Sequence, residues 1–231
     1  KVRYKSKYIR YKFMHKIINN LIEIKKEINS NNPRPQNKVK IIAISKTFSI
    51  DIILPLIDYG HLDFGENKVQ EALDKWSDLK KNKENLRLHM VGKLQTNKVK
   101  HAVKIFDYIH SLDSLKLAKK ISEEQLKIKK NLKLFIQINV GNEEQKSGIK
   151  IEDLLSFYKT CVSEFNLNII GLMCLPPANK DPSSYFSEVE KVSKDLSLPK
   201  LSMGMSADYL TALKYNTSYV RIGSRIFGKR G

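Results

Sequence analysis

The chain alternates between two kinds of segment, and that alternation constrains it more than any other feature. Short apolar runs rich in β-branched residues recur at 39–47, 61–66, 86–92, 107–112, 133–140, 169–175, 201–204 and 219–224. Between them lie longer stretches with apolar residues at helical spacing and charged faces, near 50–59, 68–82, 95–104, 114–130, 151–166, 181–196 and 206–215. A strand followed by a crossover helix returns the chain to the same edge, so successive strands pair in parallel. Eight such units within 231 residues fit a (β/α)8 TIM-type barrel. An open doubly wound sheet usually carries a glycine-rich turn after its first strand, and Ser45-Lys46-Thr47-Phe48 is not one.

A further amphipathic segment, 13–29, precedes the first strand, with Phe13, Ile17, Leu21, Ile24 and Ile28 on one face. The stretch from Asn29 to Asn37, with Pro33 and Pro35, reads as a loop. The expected organisation is a basic extension over 1–12, continuing into the first helix, and one barrel domain over 13–231. No second domain is expected after the last strand.

Composition narrows the function. The apolar runs are strand-sized, far short of the roughly 20 residues a membrane helix requires. Net charge is +18, but only seven of the 42 basic residues are arginine, and the lysines are scattered over predicted helix faces. That pattern suits a lysine-rich solvated surface better than a nucleic-acid interface. The exception is the start, where Lys1, Arg3, Lys5, Lys7, Arg10 and Lys12 stand with no acid among them. It matches neither a secretory signal nor a typical transit peptide. Cys161 and Cys174 form no CxxC pair, and the histidines show no metal-ligand spacing, so no metal site is expected. A cytoplasmic protein is the expectation; the basic start leaves an organelle open.

In a barrel, active sites gather at the C-terminal ends of the strands. The unusual polar residues of this chain fall there. Lys46 ends the first run. A lysine taken out of water loses hydration, its pKa falls, and the neutral amine becomes the nucleophile a Schiff base requires. Asn67 follows Phe64-Gly65-Glu66 at the end of the second run, and His89 lies on the third. Period-2 alternation places Ile42 and Ile44 on the face of Lys46, and Gly223 on the face of Arg221. Two glycine-containing turns, Ser202-Met203-Gly204-Met205-Ser206 and Gly223-Ser224, follow runs seven and eight, where barrels commonly bind phosphate. Ser206 and Ser224 are read as helix caps whose hydroxyls also reach an anion.

These stretches resemble the pyridoxal 5′-phosphate (PLP) homeostasis protein family from about residue 13 to 231. The matching motifs are Ala43-Ile44-Ser45-Lys46-Thr47, Phe64-Gly65-Glu66-Asn67 with Val69-Gln70-Glu71, and His89-Met90-Val91-Gly92-Lys93-Leu94-Gln95-Thr96-Asn97-Lys98. They continue with Gln137-Ile138-Asn139-Val140, Lys146-Ser147-Gly148, Gly171-Leu172-Met173, Leu201 to Ser206 and Val220 to Gly228. Departures are mild: family members often carry a bulkier pair before the histidine and Thr where Ser224 stands. The resemblance implies a fold-type III PLP barrel, similar to the N-terminal domain of alanine racemase but without its C-terminal β-domain. It implies that Lys46 forms the internal aldimine, that Ser206, Gly223 and Ser224 hold the phosphate, and that Arg221 faces the pyridine nitrogen. It places Asn67 beside the cofactor and His89 in the pocket wall.

The function expected is storage and delivery of PLP with little or no turnover. Possible partners are apo PLP-dependent enzymes, and the protein is expected to be a monomer or weak dimer. One alternative is a weak PLP-dependent amino-acid racemase or lyase. The other is a nucleic-acid-binding module using the basic surface. Glu66, Tyr209 and Tyr215 are expected in structural roles.

Overall fold

The computed structural model describes residues 2–141 and 147–228. Lys1, the side chains of the basic start and Lys146 of the Lys146-Ser147-Gly148 stretch lie outside the described residues. Helix α1 (Val2–Asn31) precedes strand β1 (Lys40–Ile44). Its backbone begins eleven residues before the predicted 13–29 segment, so the start of the chain joins the first helix. Units then follow in strict order: α2 (Ile50–Asp58), β2 (Asp63–Glu66), α3 (Val69–Asn82), β3 (Arg87–Met90), α4 (Val99–Ile105) and β4 (Tyr108–Leu112). The second half contains α5 (Leu115–Lys127), β5 (Lys133–Ile138), α6 (Leu154–Ser163), β6 (Ile169–Cys174) and α7 (Ser183–Asp195). It ends with β7 (Lys200–Met205), α8 (Tyr209–Leu213), β8 (Tyr219–Ile222) and α9 (Ser224–Phe227).

The eight strands pair in parallel in sequence order and close, β1 meeting β8 with Lys40 opposite Tyr219 and Ile42 opposite Arg221. The expected TIM-type barrel is the fold. Closure removes both sheet edges. All but one of the strands are shorter than the apolar runs that predict them, because residues past their ends turn away to form the rim; β7 instead extends one residue beyond its run at each end. Thus 39–47 yields Lys40–Ile44, and Ser45-Lys46-Thr47 become a turn.

Alternation along the strands divides the apolar residues into two layers. Those facing outward pack under the helices, and Ile17, Leu21, Ile24 and Ile28 of α1 join the same core beside α2, α8 and α9. A smaller interior cluster holds Ile42, Ile44, Tyr108, Phe135, Met173 and Tyr219. Polar side chains share this interior: His89, His110, Ser202 and Arg221 are all buried. Among the described residues no helix is long and apolar enough to cross a membrane. No group of three or more His, Cys, Asp or Glu among them is placed to hold a metal. Cys161 and Cys174 are free and buried, and burial pushes both thiols up to about 12, out of reach of ordinary thiolate chemistry.

Buried imidazoles make the fold acid-sensitive. Burial pulls His61 down from 6.5 to about 4, with the nearby Asp63 carboxylate only partly opposing it. Unfolded chains therefore take up a proton between those values that the folded chain refuses, and stability falls as pH drops through that window. The loss is on the order of 3 kcal/mol from His61 by pH 4. His89 and His110 are shifted in the same direction, mainly by burial, and add to it. Urea denaturation should give a clearly lower midpoint at pH 5 than at pH 7.5; equal midpoints would contradict this account.

Candidate functional site

A cavity of about 630 Å³ opens where the strands end. Lys46, Asn67, Ser206, Arg221, Gly223 and Ser224 all contribute to its wall, together with apolar residues such as Ile44, Phe48, Val91 and Leu175. Six of the seven sequence-predicted site residues are thus brought together. The seventh is not. His89 is fully buried in the barrel interior and does not line the cavity. Its Nε2 meets Asp63 Oδ1 at 3.1 Å and its Nδ1 meets His110 Nε2 at 3.0 Å, while its ring stacks on Tyr108. The resemblance implies a place in the pocket wall; His89 stands inside the barrel, one layer deeper.

Lys46 is half-buried and stands in a turn anchored on both sides. Before it, the Ser45 hydroxyl donates to Glu66 Oε1 at 2.7 Å, and Lys75 Nζ donates to the Ser45 carbonyl at 2.8 Å. After it, the Thr47 N–H donates to Glu71 Oε1. Thr47 has φ of 69°, the left-handed region, which is unfavourable for a β-branched residue. Such a conformation costs on the order of 1–3 kcal/mol and persists only where surrounding contacts enforce it. Here the enforcing groups come from β2 and α3. Lys75 spans Glu66 and Glu71 at 3.0 Å each, and Trp76 Nε1 donates to Glu66 Oε1 at 3.0 Å. Burial opposes ionisation of Glu71, but the Thr47 N–H and the Lys75 ammonium outweigh it and hold the carboxyl below its usual range. Glu66 is therefore structural, as its strand-end position suggests. Sequence reasoning missed the action of Glu71 and Lys75 on this turn, although their i,i+4 spacing marks them as a pair.

Asn67 is fixed by the close approach of two strand ends. A Cβ on Gly92 would lie 2.4 Å from the Asn67 carbonyl oxygen, so only glycine lets the end of β3 reach it. Across the cavity, Gly204 has φ of +90°, and a Cβ there would come within 2.8 Å of Tyr209 and Ala212. Glycine at this point lets β7 turn tightly into α8 and brings Ser206 to the rim.

Ser206 does not cap the helix it was expected to open. Asp208 holds that place and accepts the Met205 N–H at 2.5 Å. Ser206 Oγ instead accepts the Gly223 N–H at 3.2 Å, tying the turns after β7 and β8 together. Its own hydroxyl hydrogen is left to donate. Gly223 takes the cap position of α9, and Ser224 is the first residue of that helix.

Arg221 is buried beneath these turns. Nη1 donates to both the carbonyl and the hydroxyl of Ser202 at 2.6 Å, and Nη2 donates to the Cys174 carbonyl at 2.8 Å. Three of five donors are engaged, and among the described residues no partner is recorded for the Nε–H or the second Nη2 hydrogen. Burial pulls the group down from its ordinary value, yet a guanidinium keeps its proton in proteins. The site therefore presents a lysine amine, serine hydroxyls at the rim, and a donor-only guanidinium on one apolar-walled cavity.

The tyrosines behave as packing residues. Tyr209 is buried outside the cavity, its hydroxyl hydrogen-bonded to Glu27 and Arg225, and Tyr215 packs its ring on Phe186.

Comparison with known proteins bears on the same architecture. Residues 16–231 match the family model of the alanine racemase N-terminal domain. The pyridoxal phosphate homeostasis protein of Haemophilus influenzae is 36% identical over 207 residues, covering 85% of this chain and 87% of that protein. The one from Buchnera aphidicola is 36% identical over 227 residues, covering 93% and 98%. The structure of PipY from Synechococcus elongatus with PLP bound matches with a TM-score of 0.81 at 29% identity, over 92% of this chain and all of PipY. Alanine racemase from Acinetobacter baumannii matches with a TM-score of 0.70 at 16% identity, over 95% of this chain but 62% of the racemase, and speaks to the fold alone. With identity at this level over most of both chains, the protein belongs to the pyridoxal phosphate homeostasis protein family, within the wider family of the alanine racemase N-terminal domain.

Proposed function

We propose that this protein binds PLP in the cavity at the C-terminal end of its barrel, and stores and delivers it within the cell without efficient turnover. The donor set fits the group. Ser206 and Ser224 supply hydroxyls beside the Gly223 turn for a phosphate, Lys46 supplies the amine, and Arg221 has donors to spare for a ring nitrogen. Asn67 is placed to meet a polar substituent. Bound PLP supplies an aldehyde that condenses with primary amines and a ring that withdraws electrons.

The observation that carries the non-catalytic reading is the content of the wall. Among its described residues there is no Tyr, His, Asp, Glu or Cys; besides Lys46 the only ionisable side chain is Arg221. Two-sided proton exchange at a Cα needs a second acid or base. Arg221 cannot serve, because it donates and does not accept. Facing a ring nitrogen, it leaves that nitrogen unprotonated and the ring a weak electron sink. The protein would thus hold a reactive aldehyde and spare cellular amines until an acceptor, such as an apo PLP-dependent enzyme, takes it.

The test is Cα-proton exchange. PLP-loaded protein incubated with alanine and other small amino acids in D2O should exchange no faster than an equal concentration of free PLP. Exchange at enzymatic rates would establish the racemase or lyase reading instead.

A further inference from the structure

Beneath the cavity, four buried polar side chains and one partly exposed ion pair form a continuous line through the barrel. They come from five strands: Arg221 on β8, Ser202 on β7, His110 on β4, His89 on β3 and Asp63 on β2, which binds Arg87. Arg221 Nη1 lies 2.6 Å from Ser202 Oγ, Ser202 Oγ lies 2.9 Å from His110 Nδ1, and His110 Nε2 lies 3.0 Å from His89 Nδ1. His89 Nε2 lies 3.1 Å from Asp63 Oδ1, and Arg87 closes on Asp63 through Nε at 2.8 Å and Nη2 at 2.7 Å. A barrel interior is ordinarily filled by branched apolar residues. Polar groups buried there cost stability unless each finds its partner.

Chemistry at the two ends dictates the direction of every bond between. A guanidinium only donates, and a carboxylate held by a bidentate arginine only accepts. Ser202 Oγ accepts from Arg221, which leaves its hydroxyl hydrogen available to His110 Nδ1; with the His89 Nε2–H committed to Asp63, that nitrogen is bare. The neutral His110 ring carries its proton on Nε2 and donates to His89 Nδ1. His89 in turn carries its proton on Nε2 and donates to Asp63. Working back from Asp63 gives the same assignment. A proton added at His89 Nδ1 would reverse the two links from His89 through His110 to Ser202 and leave the Ser202 hydroxyl hydrogen without an acceptor among the described residues.

We propose that this one-directional chain, Arg221 to Ser202 to His110 to His89 to Asp63, locks both imidazoles as neutral Nε2–H tautomers and orients the site guanidinium through the barrel core. Ser202, His110 and His89 are positioning residues; none of them lines the cavity. The link between Ser202 and His110 crosses the lumen between strands that are not neighbours. Aromatic rings cover both imidazoles. Tyr108 stacks on His89 and Phe135 on His110, each with centroids 4.3 Å apart, and Tyr219 closes the layer. Burial depresses both histidines, His110 the more strongly, with His89 and Arg221 reinforcing that depression of His110; at His89 the Asp63 and Asp107 carboxylates oppose burial, Arg87 assists it, and the net direction stays downward. The role toward a ligand rests on the PLP reading above; the bond directions do not.

The test uses full-length protein without PLP, 15N-labelled at histidine, in long-range 1H–15N NMR at pH 7, with His89→Gln and His110→Gln for assignment. Two rings should each show a protonated Nε2 and a bare Nδ1, unchanged from pH 8 to pH 6. A protonated Nδ1 or an imidazolium at either position would overturn the proposal. Ser202→Ala should leave His110 protonated on Nε2, held from the Asp63 end, but shift the 15N resonance of its Nδ1, which loses its hydroxyl donor, and weaken binding of pyridoxine 5′-phosphate, which lacks the aldehyde, by about tenfold, the value of one hydrogen bond. An unaltered His110 signal in that variant would remove Ser202 from the chain. If wild-type protein bound neither PLP nor pyridoxine 5′-phosphate, the function reading would fall while the tautomer result stood.

Discussion

Lys46→Ala protein mixed with PLP is expected to lose the visible absorbance of lysine-bound cofactor while folding normally. Lys46 lies past the end of β1, half-buried at the cavity wall, so its stem contributes little to the core. The turn that carries it is held through the backbone and side chains of Ser45 and Thr47, which the substitution leaves intact. Stability should therefore change by no more than about 1 kcal/mol, measured as a urea midpoint. Binding should change far more. Loss of the amine removes the covalent bond and leaves only contacts to the phosphate and ring. PLP should then wash out on gel filtration, while the wild type retains it. Retention of the wild-type spectrum in the variant would move the attachment point to another lysine.

Glu66→Ala has the largest expected effect on the fold and damages the site with it. One oxygen of Glu66 accepts from Ser45, Lys75 and Trp76, all beneath the Lys46 turn. Removing it takes one of two carboxylates from an ammonium whose side chain is only 9% exposed and leaves the Trp76 indole N–H without an acceptor among the described residues. Breaking one side of a buried pair costs about 3–5 kcal/mol, a large share of a domain's net stability. Glu71 remains as a partner for Lys75, which places the loss at the lower end of that range. Glu66→Gln separates charge from geometry. The second oxygen of Glu66 is buried without a hydrogen-bond partner among the described residues, so an amide nitrogen placed there displaces no bond among them. The Gln variant should lose less than half as much stability as the Ala variant. Equal losses would mean that the charge opposite Lys75, and not the shape of the acceptor, holds the turn.

The parts of the molecule that follow from local rules were legible in the sequence. β-Branched runs separated by amphipathic segments specify eight parallel strands, and position at a strand's C-terminal end selects Lys46, Asn67 and Arg221 for the cavity wall. Period-2 alternation places Arg221 and Gly223 there together. It reports the face of a strand and says nothing of depth, and the resemblance that implies His89 in the pocket wall supplies no depth either: the ring stands in the layer below. Ser206 shows a second limit. Cap chemistry marks a serine near a helix start, but the helix begins after Asp208, and the Ser206 hydroxyl turns to Gly223 in the next unit. Contacts of this kind join residues far apart in the chain: Ser202 with His110, Glu71 with Thr47, Arg87 with Asp63. Pairing of adjacent strands sets the register of Asp63 with Arg87, and closure of the barrel brings Ser202 to His110 across the lumen. The residues that orient Lys46 and Arg221 are of that type, and so are the ones sequence patterning leaves unseen.

The most direct measurement is a chemical one. Protein incubated with one equivalent of PLP, reduced with borohydride and digested should carry the pyridoxyl phosphate increment on the peptide containing Lys46 and, at that stoichiometry, on no other. An increment spread over the many surface lysines, with Lys46 unmodified, would contradict the account.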